Sequence, residues 1–386
     1  MAMEKNDIKT ENFSEAELLA RQNKMGHMPI GKLLFGMSIP MVISMLVQAL
    51  YNVVDSYFVA KYSNDALNAV SLAYPIQMLM IAVSVGTAVG MNSYISRKLG
   101  AGEVESANKG ASNGIFLLVC SSLVFAALSF AIRPFFRLYS DDPVLVGLGV
   151  DYLRICMLFS MGVFIQLGCE RILQSMGKTS LSMVTQLIGA VVNIILDPIM
   201  IFTLKMGVKG AAYATVIGQW IGMIVALILV LGKKHEVTLS FRHFRPCKET
   251  ILEVYRVGLP SIIMQAISSV MISGMNMILS RVLADVGGKA ATSIVGVYFK
   301  VQSLIFMPLF GVTNASMSIL AYNYGAGNRL RLVKAWRLTL IVAICIMAVG
   351  TLIFQLFPAQ IIGLFDHDGS ITSGGIAAFR IISLSF

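Results

Sequence analysis

Apolar residues run along this chain in long unbroken stretches, without the alternating period of two that a strand buried on one face requires. Nine stretches are long enough to cross a bilayer as helices, which takes roughly 20 residues. They lie at about 33–58, 66–96, 108–132, 150–173, 179–203, 211–232, 256–284, 288–320 and 332–357. A tenth begins near residue 375 and runs to Phe386. The missing alternation argues against a transmembrane barrel, and helices satisfy their own backbone groups in lipid. The expected fold class is an all-α polytopic membrane protein.

Composition agrees with the pattern. Of 386 residues, 56% are hydrophobic and only 13% charged, and the mean hydropathy of +0.77 exceeds what a water-soluble core could bury. The formal charge of +10 would suit nucleic acid if it were clustered, but the basic residues are dispersed and no aromatics are interleaved with them. With the amino-terminal tail placed inside, 20 of the 30 Lys and Arg fall on the inner side and nine on the outer. That asymmetry predicts a multi-pass protein of the plasma membrane with a cytoplasmic N-terminus. Residues 1–28 lack the tripartite order of a signal peptide. The five cysteines form no CxxC spacing, so neither disulfides nor zinc are expected.

The chain also repeats itself. A shift of 225 residues places Gly100-Ala101-Gly102 on Gly325-Ala326-Gly327, Gln77 on Gln302 and Gly86 on Gly311, and a shift of 220 places Pro40 on Pro260. Two homologous halves of six spans are implied. Because six is even, the copies share one orientation, as parallel repeats about an axis along the membrane normal. The expected organisation is a cytoplasmic tail (1–30), an N-lobe (31–232), a basic cytoplasmic linker (233–254) and a C-lobe (255–386). A second copy of equal length would run about 70 residues past Phe386, so this C-lobe is expected to be cut within its tenth helix. Two such lobes suit an alternating-access secondary transporter. No GxxxxGK[ST] motif is present for an ATP-driven pump, and no charge ring or carbonyl filter for a channel. An intramembrane enzyme is disfavoured too, because the four histidines lie in tails or loops and neither HExxH nor GxSxG occurs.

Ionisable residues inside spans carry the chemistry, since burying each is costly unless it is paired or neutralised. Four qualify: Asp55, Glu170, Asp197 and Lys300. Gln48, Asn52 and Asp55 share one face of span one at i, i+4 and i+7, and Asn193 and Asp197 repeat the i, i+4 spacing in span five. Pro198 removes one backbone bond and so frees the carbonyl of Ile194 for a cation or water. Gln166 stacks on Glu170 in span four, and Thr215 and Gln219 give span six a polar edge. Each acid has a plainer alternative. Asp55 and Asp197 would be solvated helix-end charges, and Glu170 an interfacial ion pair with the adjacent Arg171.

At these residues the sequence resembles the multidrug and toxic compound extrusion (MATE) family, and most closely its MepA-like bacterial branch. The resemblance rests on Pro40 with NVVDSYFVA, on SRKLGAG, ERILQSMGK, NIILDPI and AYNYGAG, in order, across the chain beyond residue 30. It implies the 6+6 fold and export of cationic, amphipathic compounds in exchange for Na⁺ or H⁺, without another cofactor. By motif position Asp55 is similar to the family's span-one acid coupled to the bending proline Pro40. Asn193, Asp197 and Thr215 are similar to its span-five and span-six partners, a set of oxygens suited to Na⁺ as well as to a proton. Glu170 stands where other branches carry Asn, and span seven lacks the Glu of some branches. Asp55, Glu170 and Asp197 are expected to converge as cation-coupled carboxylates in the N-lobe, with Gln48, Asn52, Gln166, Gln219 and Lys300 lining the substrate cavity. The expected partners are the lipid bilayer and organic cations, with the chain a monomer. The nearest alternative is a lipid-linked oligosaccharide flippase of the same wider fold class. It would favour a cationic cavity, for which Lys300 is the one buried cation that the sequence offers.

Overall fold

The computed structural model describes residues 23–137, 142–232, 235–239, 244–282, 288–363 and 372–383. Most of the expected tail, parts of the linker, the outer-loop acids Asp141, Asp366 and Asp368, the end of the tenth span and the side chain of Lys300 lie outside the described residues.

The long helices are α1 (Ile30–Tyr62), α2 (Asn64–Gly100), α3 (Val104–Leu128), α4 (Pro143–Leu158), α5 (Met161–Ser175), α6 (Thr179–Pro198), α7 (Val208–Val230), α8 (Lys248–Val282), α9 (Gly288–Gly325), α10 (Arg329–Leu356) and α11 (Thr372–Ile382). Among the described residues, seven helical stretches are long and apolar enough to cross a membrane, and the α4–α5 pair, bent by 46°, makes an eighth. The seventh expected span corresponds to α8, a continuous helix of 35 residues. The bend follows from local chemistry. At the break, Gly162 packs against the Trp220 ring, whose Nε1 donates at 3.1 Å to the carbonyl of Phe159, which also accepts from Gly162 N at 3.3 Å. The carbonyl at the bend, which lies outside the regular helical ladder, is thereby fully partnered inside the membrane protein.

The repeat read from the sequence is present in the turns. After α2, Glu103 N donates to Lys98 O (2.9 Å) and Gly102 N to Leu99 O (3.0 Å); after α9, Asn328 N donates to Asn323 O (3.0 Å) and Gly327 N to Tyr324 O (3.1 Å). Both turns need a left-handed residue, and Gly102 (φ 79°) and Gly327 (φ 66°) supply it.

The same symmetry governs packing between the halves. The α8 helix lies along α2, and α9 along α1. Gly86 of α2 meets Ile262 and Gly258 of α8, while its repeat partner Gly311 of α9 meets Val42 of α1. Gly100 abuts the carbonyl of Tyr322, and Gly325 abuts that of Arg97. Small residues let helix backbones touch where lipid provides no hydrophobic drive for association. Several cross-half bonds join the halves on the face that carries Asn23, here called the N-terminal face. Ser318 donates to Asn92 Oδ1 (3.1 Å), Arg171 to Asn314 Oδ1 (2.9 Å), and Arg331 to the carbonyls of Met25 (2.9 Å) and Met28 (2.8 Å).

Candidate functional site: buried carboxylates of the amino-terminal half

The acids sit on α1, α5 and α6, with α7 packed against α5 and α6. Glu170 on α5 is fully buried, and three neutral donors hold it. Gln166 Nε2 (3.1 Å) and Thr185 Oγ1 (2.9 Å) donate to Oε1, and Gln186 Nε2 (2.7 Å) donates to Oε2. Gln166 is held in turn by Gly222 of α7, where an added Cβ would come within 2.8 Å of its amide.

Arg171 does not serve as the ion-pair partner that adjacency in sequence suggested. Its Nη1 donates to Gln174 Oε1 (3.0 Å) on its own chain segment and to Asn314 Oδ1 on α9. Successive helix positions face about 100° apart, so neighbours in sequence diverge. Arg171 is itself buried at 6% exposure, so Lys300 is not the one buried cation available to the chain.

Asp197, at the C-terminal end of α6, is fully buried, and neither carboxylate oxygen has a hydrogen-bond partner. It is therefore no solvated helix-end charge. One turn earlier, Asn193 donates from Nδ2 to Thr215 Oγ1 of α7 at 3.3 Å and leaves its own Oδ1 buried and unpartnered. The close α6–α7 crossing at Gly189 and Gly218 makes that bond possible. Asp55 of α1 likewise has a buried, unpartnered Oδ1, and its charge interacts with that of Asp197. Pro198 ends α6, and the chain widens into a π-helical turn over Ile199–Thr203, with Leu204 N donating to Ile199 O at 2.9 Å. A proline without an N–H favours such a widening.

The three expected acids therefore form two sets. Asp55, Asp197, Asn193 and Thr215 make one. Glu170 makes another, held by Thr185 and Gln186, and Thr185 lies about 18 Å along α6 from Asp197 at 1.5 Å per residue. No described bond joins Glu170 to the first set.

Gln48 and Asn52 are exposed on the Asp55 helix, Gln219 is half-buried on α7, and none of the three bonds an acid among the described contacts. Pro40 lies within α1, and its carbonyl accepts from Ser44 Oγ at 2.9 Å. A groove of about 440 Å³ near Arg97, Ser316 and Thr339 lies on the N-terminal face and includes none of these acids.

Sequence reasoning missed Thr185, Gln186, Arg171 with Asn314, and the ring of Tyr51, Tyr152, Cys156 and Gln77. Tyr51 senses the charges of both Asp55 and Asp197, and Gln77 Nε2 donates to the Tyr152 hydroxyl at 3.3 Å. One available signal was the spacing of Ser182, Gln186, Asn193 and Asp197, which keeps all four on one face of α6.

Comparison with known proteins agrees with this architecture. The MatE family model matches residues 40–199 and 263–386. Multidrug export protein MepA of Staphylococcus saprophyticus is 28% identical over 346 residues, covering 89% of this chain and 75% of the relative. MepA of Staphylococcus aureus is 26% identical over 350 residues with the same coverage. Among solved structures, a multidrug resistance MATE transporter in an outward-facing conformation superposes with a TM-score of 0.84 at 28% identity, covering 97% of this chain and 82% of that one. A MOP-superfamily transporter from Pyrococcus furiosus, described as having a binding pocket of reversed polarity, gives the same score, identity and coverage. The chain belongs to the MatE family of multi-pass membrane transporters, in its MepA-like branch.

Proposed function

We propose that the protein is a secondary active multidrug antiporter that exports cationic, amphipathic compounds in exchange for Na⁺ or H⁺, with the coupling ion taken up at Asp55 and Asp197. The N-terminal face is the cytoplasmic one on this reading, and residues 31–232 and 255–386 are the lobes that rock about their shared crossings.

One observation carries the proposal: Asp197 is fully buried with both oxygens unpartnered, beside the unpartnered oxygens of Asp55 and Asn193. An ionised carboxylate cannot be left so in a low-dielectric interior, and it must gain a proton or a cation. Asn193 and Thr215 complete a set of oxygens suited to a hard cation such as Na⁺ as well as to protonation. Two carboxylates whose charges interact also bind one cation in place of another, so ion and organic cation compete. Loading from the outer side favours drug release, and the emptied carrier returns to the cytoplasmic side. Coupling follows from the different affinities of the two conformations.

Glu170 plays another part. Its three donors offset part of the cost of burying the carboxyl group, and no described bond joins it to Asp55 or Asp197. The buried guanidinium of Arg171 favours a second reading, transport of an anionic lipid-linked sugar, but Gln174 and Asn314 already occupy it. Counterflow of a fluorescent organic cation in proteoliposomes under separate Na⁺ and pH gradients tests the proposal. Uptake that follows either gradient supports it, and uptake indifferent to both overturns it.

A further inference from the structure

A chain of polar contacts crosses the N-terminal face, and the coupling site does not use it. It starts at the end of α7, where His235 Nε2 lies 2.6 Å from the carbonyl of Leu229. The other ring nitrogen, Nδ1, lies 2.7 Å from Lys178 Nζ, in the turn between α5 and α6. Lys178 Nζ is 3.6 Å from Glu236 Oε2, and Glu236 Oε1 accepts from Asn23 Nδ2 at 3.3 Å. Asn23 Oδ1 caps the short helix Lys24–His27 through Met25 N at 2.9 Å. The carbonyl of Met25 then accepts from Asn323 of α9 (3.4 Å) and Arg331 of α10 (2.9 Å). The segment Asn23–Met28 thus ties the inner ends of α5, α6 and α7 to those of α9 and α10.

The protonation state of His235 follows from its partners. An ammonium has no acceptor, so Nδ1 must accept from Lys178, and Nε2 then carries the hydrogen that is donated to Leu229. The imidazole is neutral in this arrangement. A second ring proton would set an N–H against the Lys178 ammonium at hydrogen-bond distance, and one of the two groups would have to leave. Other charges face this cluster. Glu236 opposes Lys178 and Lys24 across it, Tyr322 of α9 senses Glu236 and Arg331, and burial together with the Lys178 charge holds the Lys24 ammonium below its ordinary value against the pull of Glu236.

We propose that Asn23–Met28 is a latch that holds the N-terminal face closed while His235 is neutral, and that protonation of His235 from that face releases it. The proposal rests on the reading of the N-terminal face as cytoplasmic, and it is independent of which groups bind the coupling ion. Acidification of the cytoplasm would then favour inward opening, giving the exporter a regulatory input on the side from which it loads drug.

Spin labels at Glu105 and Leu330 test it, since both side chains are largely exposed on that face, one in each half. Double electron–electron resonance is recorded on the purified protein between pH 8 and 5.5, with Cys120, Cys247 and Cys345 replaced by Ser. The expected result is one short distance at pH 8, joined by a longer component as the pH falls to 5.5. In His235→Gln the amide supplies both an acceptor and a donor without titrating, so the short distance should persist to pH 5.5. In Lys178→Gln the opposing ammonium is gone, and the transition should be lost as well. A pH-invariant distance in the parent protein overturns the proposal, as does an unchanged transition in His235→Gln. Drug counterflow read in the parent protein separates this outcome from failure of the coupling site: a pH-invariant distance in the parent with counterflow intact condemns the latch alone.

Discussion

Gly325 of α9 rests against the backbone carbonyl of Arg97 of α2, so closely that no side chain fits between them. Its repeat partner Gly100 rests in the same way on Tyr322. This crossing closes the N-terminal face, and a larger residue at either position should wedge it open. Overpacking of a tight contact costs about 1–3 kcal/mol, or roughly 5- to 150-fold in the conformational equilibrium. Gly325→Val should therefore speed alkylation of a Ser318→Cys reporter, a position that is fully buried against Asn92 in this conformation. An unchanged alkylation rate would remove the glycine pair from any account of closure.

A second contact between the halves is polar. Arg171 bonds Asn314, and hydrogen bonds between membrane helices contribute about 0.6 kcal/mol on average and up to about 1.7. A double-mutant cycle of Arg171→Met and Asn314→Leu, read by the same alkylation assay, should give a coupling energy in that range. Additive effects would mean that the two side chains do not act as a pair.

Glu170 and Asp197 should respond differently to neutralisation. Glu170 is held by three donors, so removal of one, as in Gln186→Leu, leaves a buried carboxyl oxygen without its partner at about 1–3 kcal/mol. Thermal unfolding in detergent should fall by several degrees in Gln186→Leu, and Glu170→Gln in that background should recover part of the loss. Asp197→Asn removes an unpartnered charge and should leave the unfolding temperature unchanged or raised. Equal losses in both variants would contradict the division of the acids into two sets.

The fold was largely legible in the sequence because lipid leaves few alternatives. Uninterrupted apolar runs can only be helices, and the Gly-Ala-Gly turns after spans two and eight marked the repeat that the Gly102 and Gly327 turns reproduce. The partnership of Asn193 with Thr215 was legible only through the resemblance to the family, and the two side chains are hydrogen-bonded in the structure. Convergence of all three acids was misread. A one-dimensional list of buried charges carries no depth, and Glu170 lies nearer the opposite end of its span from Asp197. The roles of Arg171, Gln186 and Asn23 depend on which helices cross where, and no spacing within a single helix encodes that.

The central claim is that Asp197 takes up the coupling ion. The most direct test is ethidium efflux from proteoliposomes by Asp197→Asn, under an imposed Na⁺ gradient and, separately, an imposed pH gradient, with Glu170→Gln measured alongside. The amide is nearly isosteric with the carboxylate but cannot exchange a proton or offer a full charge to Na⁺. The account predicts that Asp197→Asn folds normally and loses gradient-driven efflux under both conditions, by about tenfold or more, since this corresponds to about 1.4 kcal/mol of lost coupling. Full gradient-driven efflux by Asp197→Asn would contradict it.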